Sequence, residues 1–261
     1  MADPFKIDGP TCISFSGGRT SAYMLWRVLQ ANGGLPEEAK VCFANTGKED
    51  EATLRFVKDC QENWGVDIAW LEYEPSGYRQ VSFETASRQG EPFEALIRKK
   101  KYLPNPVARF CTEELKVKTI DRYFKSLGIE PETMVGVRAD EQRRVGKLRA
   151  RGLLIPLVDA GVTQHDVQTF WKAQPFDLGL VFRDGVTPLG NCDLCFLKGP
   201  QQIMGIIKDN PERAVWWASM EREIGATFRS DRASYSEMHQ FLTDQADMFS
   251  TEGGISCFCG D

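Results

Sequence analysis

The segment Ser14-Phe15-Ser16-Gly17-Gly18-Arg19-Thr20-Ser21 combines residue types that bind anions. Two adjacent glycines let the backbone approach a phosphate closely, and the hydroxyl groups of Ser16, Thr20 and Ser21 add hydrogen-bond donors. Where a strand runs into a helix, the free N–H groups of the helix face the same anion, and Arg19 adds a charged donor. The segment contains neither G-x-x-x-x-G-K-[ST] nor G-x-G-x-x-G. It is therefore a phosphate-binding loop of another type or an ordinary strand-to-helix turn.

The cysteines are the second set of residues that indicate chemistry. The chain has 8 cysteines and 2 histidines, so any transition-metal site is built mainly from thiolates. Cys192 and Cys195 form a Cys-x-x-Cys motif, a spacing suited to one zinc ion or one iron–sulfur cluster. Cys111 precedes a predicted helix, where a thiolate is favoured. Cys257 and Cys259 in the tail are two further thiols that could complete a metal site, and redox or nucleophilic thiols without metal are the remaining alternative.

Basic residues are concentrated in one stretch of the chain. Either it is a solvated loop with acidic partners, or it is a flap or groove that binds phosphates, including those of a nucleic acid. The net charge of −5 provides no general attraction to a polyanion, so such a contact must be local. The cations of this stretch are Arg138, Arg143, Arg144, Lys147, Arg149 and Arg151.

Short apolar runs alternate with amphipathic stretches in the first part of the chain, which predicts an α/β fold with a parallel sheet. We predict a doubly wound, mostly parallel sheet over residues 1–190 and a helical, cysteine-bearing C-terminal region over residues 191–261. Residues 75–106 show no clear period. Strands are predicted at 11–15, 41–44, 68–73 and 133–137, and helices at 21–29, 51–63, 113–127, 211–225 and 234–249.

Composition narrows the class of protein. The 261 residues are 42% hydrophobic and 26% charged, values typical of a globular protein and unlike those of a disordered or collagen-like chain. No apolar stretch approaches the roughly 18 residues needed to cross a bilayer. The first residues lack the apolar core of a signal peptide. We expect a cytoplasmic protein without a membrane partner.

Five motifs, in order along the chain, resemble those of the phosphoadenosine phosphosulfate (PAPS) reductase family of the PP-loop adenine nucleotide α-hydrolase-like (ATP pyrophosphatase) superfamily. The glycine-containing segment resembles the SGG-x-[DT]-S loop of that superfamily. The others are Asn45-Thr46-Gly47 after the second strand, Arg109 to Val117 (Arg-x-Cys…Lys-Val), Gly136 to Glu141 (Gly-x-Arg-x-x-Glu) and the late Cys-x-x-Cys.

The resemblance implies an adenine nucleotide as ligand, either ATP or a sulfonucleotide (PAPS or APS). Lys116 and Arg138 are implied to contact its phosphates as catalytic residues. A 4Fe-4S cluster is implied at Cys111, Cys192, Cys195 and Cys257, with Cys259 as an alternative tail nucleophile. The residues implied to bind the nucleotide are Ser14, Ser16, Gly17, Gly18, Arg19, Thr20, Ser21, Asn45, Thr46, Gly47, Gly136 and Arg138.

The chain departs from the superfamily at Arg19 and Thr20, where many ATP pyrophosphatases carry Lys and Asp. This departure bears on whether the chain handles magnesium, whereas the intact Ser-Gly-Gly favours ATP as the nucleotide.

Three hypotheses of function follow from these motifs and the resemblance. The first is ATP-dependent adenylation of an acceptor followed by sulfur transfer, with an iron–sulfur cluster. The second is a sulfonucleotide reductase that releases sulfite. The third is a nucleotide-binding protein with structural zinc and no turnover. The first two require a sulfur or electron donor as a partner, and we expect a homo-oligomer.

Overall fold

The computed structural model describes residues 3–182 and 187–250. The chain forms two compact units. The first unit contains Met1–Lys99 and Phe110–Asp193, and the second contains Lys100–Arg109 and the chain from Leu194 onward. The predicted division into residues 1–190 and 191–261 stays a prediction.

The first unit is built on a five-stranded sheet in the order β4-β3-β2-β1-β5. Strands β1, β2, β3 and β5 are parallel, and the edge strand β4 is antiparallel to β3. The predicted α/β class with a mostly parallel sheet is thereby confirmed. The strands are β1 (Thr11–Ser14), β2 (Ala39–Asn45), β3 (Ile68–Glu74), β4 (Gly77–Val81) and β5 (Glu132–Val135).

Helices cover both faces of this sheet because alternate strand residues point to opposite sides. On one face Ile13 packs in the larger core, and on the other Cys12 packs near Phe124. Cys12, Cys42 and Cys60 are fully buried, as expected for small core residues. The helices of this part are α1 (Arg19–Asn32), α2 (Glu51–Trp64), α3 (Glu91–Lys100), α4 (Phe110–Thr112), α5 (Lys118–Ser126), α6 (Gln142–Arg149), α7 (Pro156–Asp159) and α8 (Gln164–Lys172).

The ends of α1 and α2 follow from local sequence. Asp50 accepts a hydrogen bond from the N–H of Ala52 and so caps the start of α2. Gly33 and Gly65 end the two helices in the left-handed conformation, with φ of 72° and 59°. Both helices therefore begin at the carboxyl ends of strands and end near the opposite edge of the sheet.

The structure differs from the sequence prediction in two segments. The stretch without clear period contains β4 and α3, because an edge strand has one partner and lacks the apolar run of a central strand. The helix predicted over 113–127 begins as a π-helical turn, Glu113–Val117, and continues as α5. A hydrophobic period does not distinguish a π turn from an α-helix, so the sequence could not reveal it.

The second unit is helical in its described part, which confirms the predicted class of the C-terminal region. Trp217, Phe228 and Tyr235 pack against one another with ring centroids 5.0 to 5.8 Å apart. The Tyr235 hydroxyl donates a hydrogen bond to the Leu194 carbonyl at 2.5 Å. The helices of this unit are α9 (Pro200–Asp209), α10 (Glu212–Ile224) and α11 (Tyr235–Ser250).

Among the helices of residues 3–182 and 187–250, none combines the length and the apolar composition that crossing a bilayer requires.

Candidate functional site

The loop between β1 and α1 turns tightly at Gly17. This residue has a φ of 74°, and a Cβ atom there would lie 2.7 Å from Thr53 Cγ2 and 3.2 Å from Phe43 Cε2. Glycine meets both constraints without strain. Gly18 precedes α1 in an extended conformation, and no side chain of the described residues caps the helix. The first N–H groups of α1 therefore offer an anion site next to the loop.

Two serines hold this loop in its shape. Ser16 Oγ and Ser21 Oγ lie 2.9 Å apart, and Ser21 Oγ also accepts a hydrogen bond from the Ser16 N–H at 3.2 Å. The Ser21 hydroxyl donates to the Gly18 carbonyl at 2.9 Å. Both serines are predicted phosphate ligands. Ser16 is exposed and faces solvent, whereas Ser21 is buried and supports the loop.

Arg19 makes its strongest contacts away from the loop. Its Nε donates to Asp177 Oδ1 at 2.6 Å, its Nη2 donates to the other carboxylate oxygen, and Nη2 also donates to the Leu180 carbonyl at 3.1 Å. Burial raises the pKa of Asp177, but the hydrogen bond from Arg19 outweighs it and holds this pKa below its usual range. Arg19 thus anchors the segment around residue 177, and its role as a phosphate ligand stays a prediction.

The Gly136 turn lies directly against the start of α1. A Cβ atom on Gly136 would lie 2.7 Å from Ser21 Cα, so the two backbones approach as closely as glycine allows. Arg138 Nη1 donates to Thr20 Oγ1 at 3.2 Å, and Arg138 Nε donates to Asp140 at 2.9 Å. The structure therefore brings three predicted nucleotide residues, Gly136, Arg138 and Thr20, to one place beside the loop.

The turn after β2 is held by a buried carboxylate. Asn45 Nδ2 donates to Glu72 Oε1 at 2.6 Å and to the Ser87 carbonyl at 2.9 Å, and Glu72 is fully buried. Gly47 has a φ of 76°, and a Cβ atom there would lie 3.0 Å from the backbone of Gly90. The side-chain amide of Asn45 therefore holds the turn in place. The backbones of Asn45 and Thr46 lie at the end of the strand.

Thr46, Glu49 and Lys116 form a polar chain next to this turn. Glu49 Oε2 accepts hydrogen bonds from the Thr46 N–H at 2.8 Å and the Thr46 hydroxyl at 2.7 Å, and Lys116 Nζ donates to Glu49 Oε1 at 3.3 Å. The Glu49 side chain is 1% exposed. Burial lowers the pKa of Lys116, but the Glu49 carboxylate and the Cys192 and Cys111 thiols outweigh it, so this pKa is raised. Lys116 is a stable cation beside two thiols.

Cys192 is tied to the same chain of polar groups. Its Sγ lies 3.5 Å from Thr46 Oγ1, and its backbone forms an antiparallel bridge with Glu49. The next residue, Asp193, donates its N–H to the Lys48 carbonyl at 2.8 Å and pairs with Lys48 Nζ at 3.2 Å. Both side chains of this ion pair are less than a tenth exposed, at 8% and 7%. These contacts fix the Cys192 thiol next to the end of β2.

Cys111 and Lys116 lie on either side of the start of the π-helical turn. Cys111 is in α4 and is partly buried, and Lys116 is in the turn itself. A π turn widens the helix by one residue per hydrogen-bonded ring, and such turns are frequent at functional sites. The widened turn presents Lys116 to Glu49, a residue 67 positions earlier in the chain.

The predicted cluster is incomplete in the part of the chain that the structure describes. Within residues 3–182 and 187–250, no three Cys, His, Asp or Glu side chains form a group able to hold a metal ion. Cys111 and Cys192 act on the same lysine, whereas Cys195 belongs to the second unit. Cys257 and Cys259 lie outside the described residues. The described thiols do not by themselves fit an iron–sulfur cluster.

Three residues of this site are absent from the sequence prediction, namely Glu49, Asp193 and Asp177. Glu49 is the hub of the polar chain, and the other two anchor Cys192 and Arg19 respectively. In the sequence, the acidic pair Glu49-Asp50 directly after the strand-end turn could have indicated the role of Glu49. Asp177 and Asp193 carried no comparable signal because their partners are remote in sequence.

A family model matches the part of the chain that contains most of this site. Residues 10–151 match the model described as the phosphoadenosine phosphosulfate reductase domain. The matched region begins just before β1 and ends just after α6, so it contains the loop, the Asn45 turn, the Lys116 turn and the Gly136 turn. Cys192 and Cys195 follow it.

Two relatives are similar over different lengths. An uncharacterised nin region protein of Escherichia phage lambda is 32% identical over 212 residues, which cover 76% of this chain and 69% of the relative. An uncharacterised protein of Methanocaldococcus jannaschii is 29% identical over 139 residues, which cover 52% of this chain and 24% of the relative. Neither description names a reaction.

Proposed function

The chain belongs to the family of phosphoadenosine phosphosulfate reductase domains, and from that premise we propose that it is an adenine-nucleotide-dependent enzyme of sulfur metabolism. The reaction we favour is adenylation of an acceptor oxygen by ATP, followed by transfer of sulfur to the same position. One observation carries this proposal. The glycine loop follows β1 and the Thr46–Glu49–Lys116 chain follows β2, and these two strands are parallel neighbours.

Parallel neighbours place their following loops at the same edge of the sheet. β1 also pairs with β5 on its other side, so the chain reverses its direction of winding at β1. Ligands of doubly wound folds bind at such a reversal. A nucleotide on the first turn of α1 is therefore expected next to the thiols and Lys116.

The residues of the first unit are suited to the adenylation step. The N–H groups at the start of α1 and the Ser16 hydroxyl bind the phosphates, and Arg138 offsets negative charge that develops as pyrophosphate leaves. In this step the acceptor oxygen forms a bond to the α-phosphorus while the bond to the pyrophosphate oxygen breaks. Asn45 and Thr46 border the adenosine.

Sulfur transfer is the second step. A donor at the oxidation level of sulfide attacks the acceptor carbon, a C–S bond forms, and AMP leaves with the oxygen, so no external oxidant or reductant is consumed. Lys116 stabilises an anionic sulfur species near Cys111 and Cys192 by its positive charge. Glu49 positions Lys116, and Thr46 positions the Cys192 thiol.

We assign the predicted 4Fe-4S cluster and magnesium no step in this scheme. The cluster implied at Cys111, Cys192, Cys195 and Cys257 stays a prediction from the sequence. Iron, acid-labile sulfide and zinc measured on protein purified without oxygen test this part. Iron and sulfide in near-equal amounts support the cluster, whereas stoichiometric zinc without iron makes the thiols structural.

A second candidate, the sulfonucleotide reductase, is favoured by the ion pair of Lys116 with Glu49 and its electrostatic interaction with two thiols. A cysteine thiolate, at Cys259 in the sequence-based proposal, attacks the sulfur atom of the sulfonucleotide and the nucleoside phosphate leaves. A second thiol then displaces sulfite, which reduces the sulfur and oxidises the two thiols to a disulfide. Lys116 would stabilise the charge of the sulfonate.

Product analysis distinguishes the two reactions. The protein is incubated with ATP, a candidate acceptor (a nucleic acid or a small molecule with a reactive oxygen) and a sulfide donor, or with PAPS or APS and a thiol reductant, and pyrophosphate, AMP and sulfite are measured. We expect pyrophosphate and AMP from ATP, and no sulfite. Sulfite from PAPS or APS would replace the favoured reaction with the second candidate. Binding of nucleotide without any product would favour the third hypothesis, a non-catalytic protein.

A pair of glycine variants tests the phosphate loop itself. Gly17→Ala places a Cβ 2.7 Å from Thr53 in a backbone with positive φ, whereas Gly33→Ala meets the same backbone strain with no atom within 4 Å. We expect Gly17→Ala to abolish ATP binding, measured by calorimetry, and Gly33→Ala to preserve it at lower stability. Equal ATP affinity in both variants would refute the location of the site.

A further inference from the structure

Three cations in α6 and the turn after it have side chains without a partner among the described residues. Arg143, Lys147 and Arg151 follow one another at four-residue intervals: the first two lie in α6, and Arg151 lies in the turn after it, where its N–H donates to the Leu148 carbonyl at 3.1 Å. All three residues are exposed, and none of their side chains has a hydrogen bond or an ion pair within the described parts of the chain. We call Arg143, Lys147 and Arg151 the basic stripe.

The neighbouring cations differ from the stripe because carboxylates bind them. Arg144 Nη1 donates to Glu141 at 2.6 Å, and Arg149 Nη2 donates to Asp159 at 2.7 Å. Positive charge without a nearby carboxylate is therefore confined to the stripe on this helix. No residue of α6 is buried, so the helix adds little to the core, and packing does not explain its composition.

The stripe begins close to the proposed nucleotide site. Helix α6 starts four residues after Arg138, which donates a hydrogen bond to Thr20 in the first turn of α1. Four residues of helix rise about 6 Å, so Arg143 and Lys147 are about 6 Å apart along the helix axis, and Arg151 follows in the turn beyond the helix end.

We propose that the basic stripe binds the phosphodiester backbone of a nucleic acid, and that this nucleic acid is the acceptor class of the reaction. The assignment as acceptor rests on the proposed function, whereas the binding itself does not. A lipid surface is the poorer partner, because peripheral membrane helices need an apolar face and no large hydrophobic residue of α6 is exposed. Three regularly spaced cations instead suit a regularly spaced polyanion.

The test measures nucleic-acid binding without nucleotide as a function of salt. A single-stranded oligonucleotide and a duplex of the same sequence, each as DNA and as RNA, are titrated by fluorescence anisotropy. The triple variant Arg143→Gln, Lys147→Gln and Arg151→Gln removes three phosphate contacts. We expect binding about 100-fold weaker at 0.1 M salt, and a salt slope shallower by about 2 for single strands or about 2.7 for duplexes.

Two controls separate the stripe from general charge. The variant Arg143→Lys with Arg151→Lys keeps the charges, and we expect it to bind within about threefold of the native chain because phosphate contacts depend on charge more than on shape. The variant Lys6→Gln, Lys125→Gln and Lys172→Gln removes three exposed cations elsewhere. Unchanged binding in this variant supports the stripe, and an equal loss in both triple variants overturns it.

The remaining outcomes are also decisive. Native binding by the stripe triple variant, or no binding of any nucleic acid by the native protein, overturns the proposal. Preference for vesicles containing anionic lipid over every oligonucleotide would replace it with a membrane contact. ATP affinity of the stripe variant is measured separately. Nucleic-acid binding with no ATP binding would refute the proposed function and leave the stripe as a nucleic-acid surface.

Discussion

The close approach of Gly136 to α1 allows a prediction whose size follows from the structure. In Gly136→Ala the new Cβ would lie 2.7 Å from Ser21 Cα and 3.1 Å from the Ser21 nitrogen. Carbon atoms in contact are about 3.5 to 4.0 Å apart, so the β5 turn and the helix must separate by about 1 Å. The obstacle is backbone in both segments, which cannot rotate away as a flexible side chain can.

The separation has two expected consequences. Overpacking of this kind costs about 1 to 3 kcal/mol of the free energy of unfolding. It also stretches the hydrogen bond from Arg138 to Thr20, which is 3.2 Å long, beyond a useful length. We therefore expect ATP affinity to fall about tenfold, which corresponds to about 1.4 kcal/mol of lost binding free energy.

The assay compares this variant with a matched glycine. Gly146 lies inside α6, and a Cβ there meets no atom within 4 Å. We expect Gly146→Ala to increase stability by about 0.5 to 1 kcal/mol, because alanine loses less conformational entropy in a helix. Urea unfolding followed by circular dichroism gives the stabilities, and calorimetry gives the ATP dissociation constants. Native stability and native affinity in Gly136→Ala would refute the close-contact argument.

Three further predictions concern charged side chains in ion pairs. Asp177→Asn should lower stability by less than about 1 kcal/mol at pH 7, because Asp177 is partly exposed. The lowered pKa of Asp177 means that the ion pair stabilises above the unfolded pKa and is lost as pH falls through the folded value, so the thermal midpoints of variant and native protein should converge as the pH is lowered through that value. Glu72→Gln should lower the free energy of unfolding, measured in urea, by about 1 to 3 kcal/mol. The fully buried carboxylate accepts hydrogen bonds from Arg79 and Ser87, and the amide nitrogen of glutamine would face these donors without being able to accept from them. Lys116→Met should slow alkylation of Cys111 and Cys192 by iodoacetamide about three- to tenfold at pH 7, because loss of the cation raises the thiol pKa values.

Each of these predictions has its own control. For Asp177, a stability difference that does not shrink as the pH is lowered below the unfolded pKa would contradict the ion-pair explanation. For Glu72, the matched variant is Glu62→Gln, an exposed residue of α2 that should change stability by less than about 0.5 kcal/mol. For Lys116, Lys116→Arg keeps the charge, so alkylation should stay near the native rate, and equal slowing in both variants would show that charge is not the cause.

The sequence was most informative where a property is local. The strand-to-helix loop at Gly17 and the strand ends near Asn45 could be predicted, because hydrophobic period and glycine placement depend on neighbours in the chain. The order of the motifs indicated the family that the family model confirms. The edge strand β4 and the π-helical turn were missed, since neither produces a distinct period.

By itself the sequence determined the class of fold, the loop that follows β1 and the set of thiols available for chemistry. Tertiary structure decided which groups those residues face. Arg19 binds Asp177 across 158 residues, and Lys116 binds Glu49 across 67. Such pairs form because the folded backbone brings the two partners within hydrogen-bond distance and partly removes them from water, where their attraction is stronger. Neither composition nor the spacing of residues along the chain reveals the distance between such partners in the folded protein.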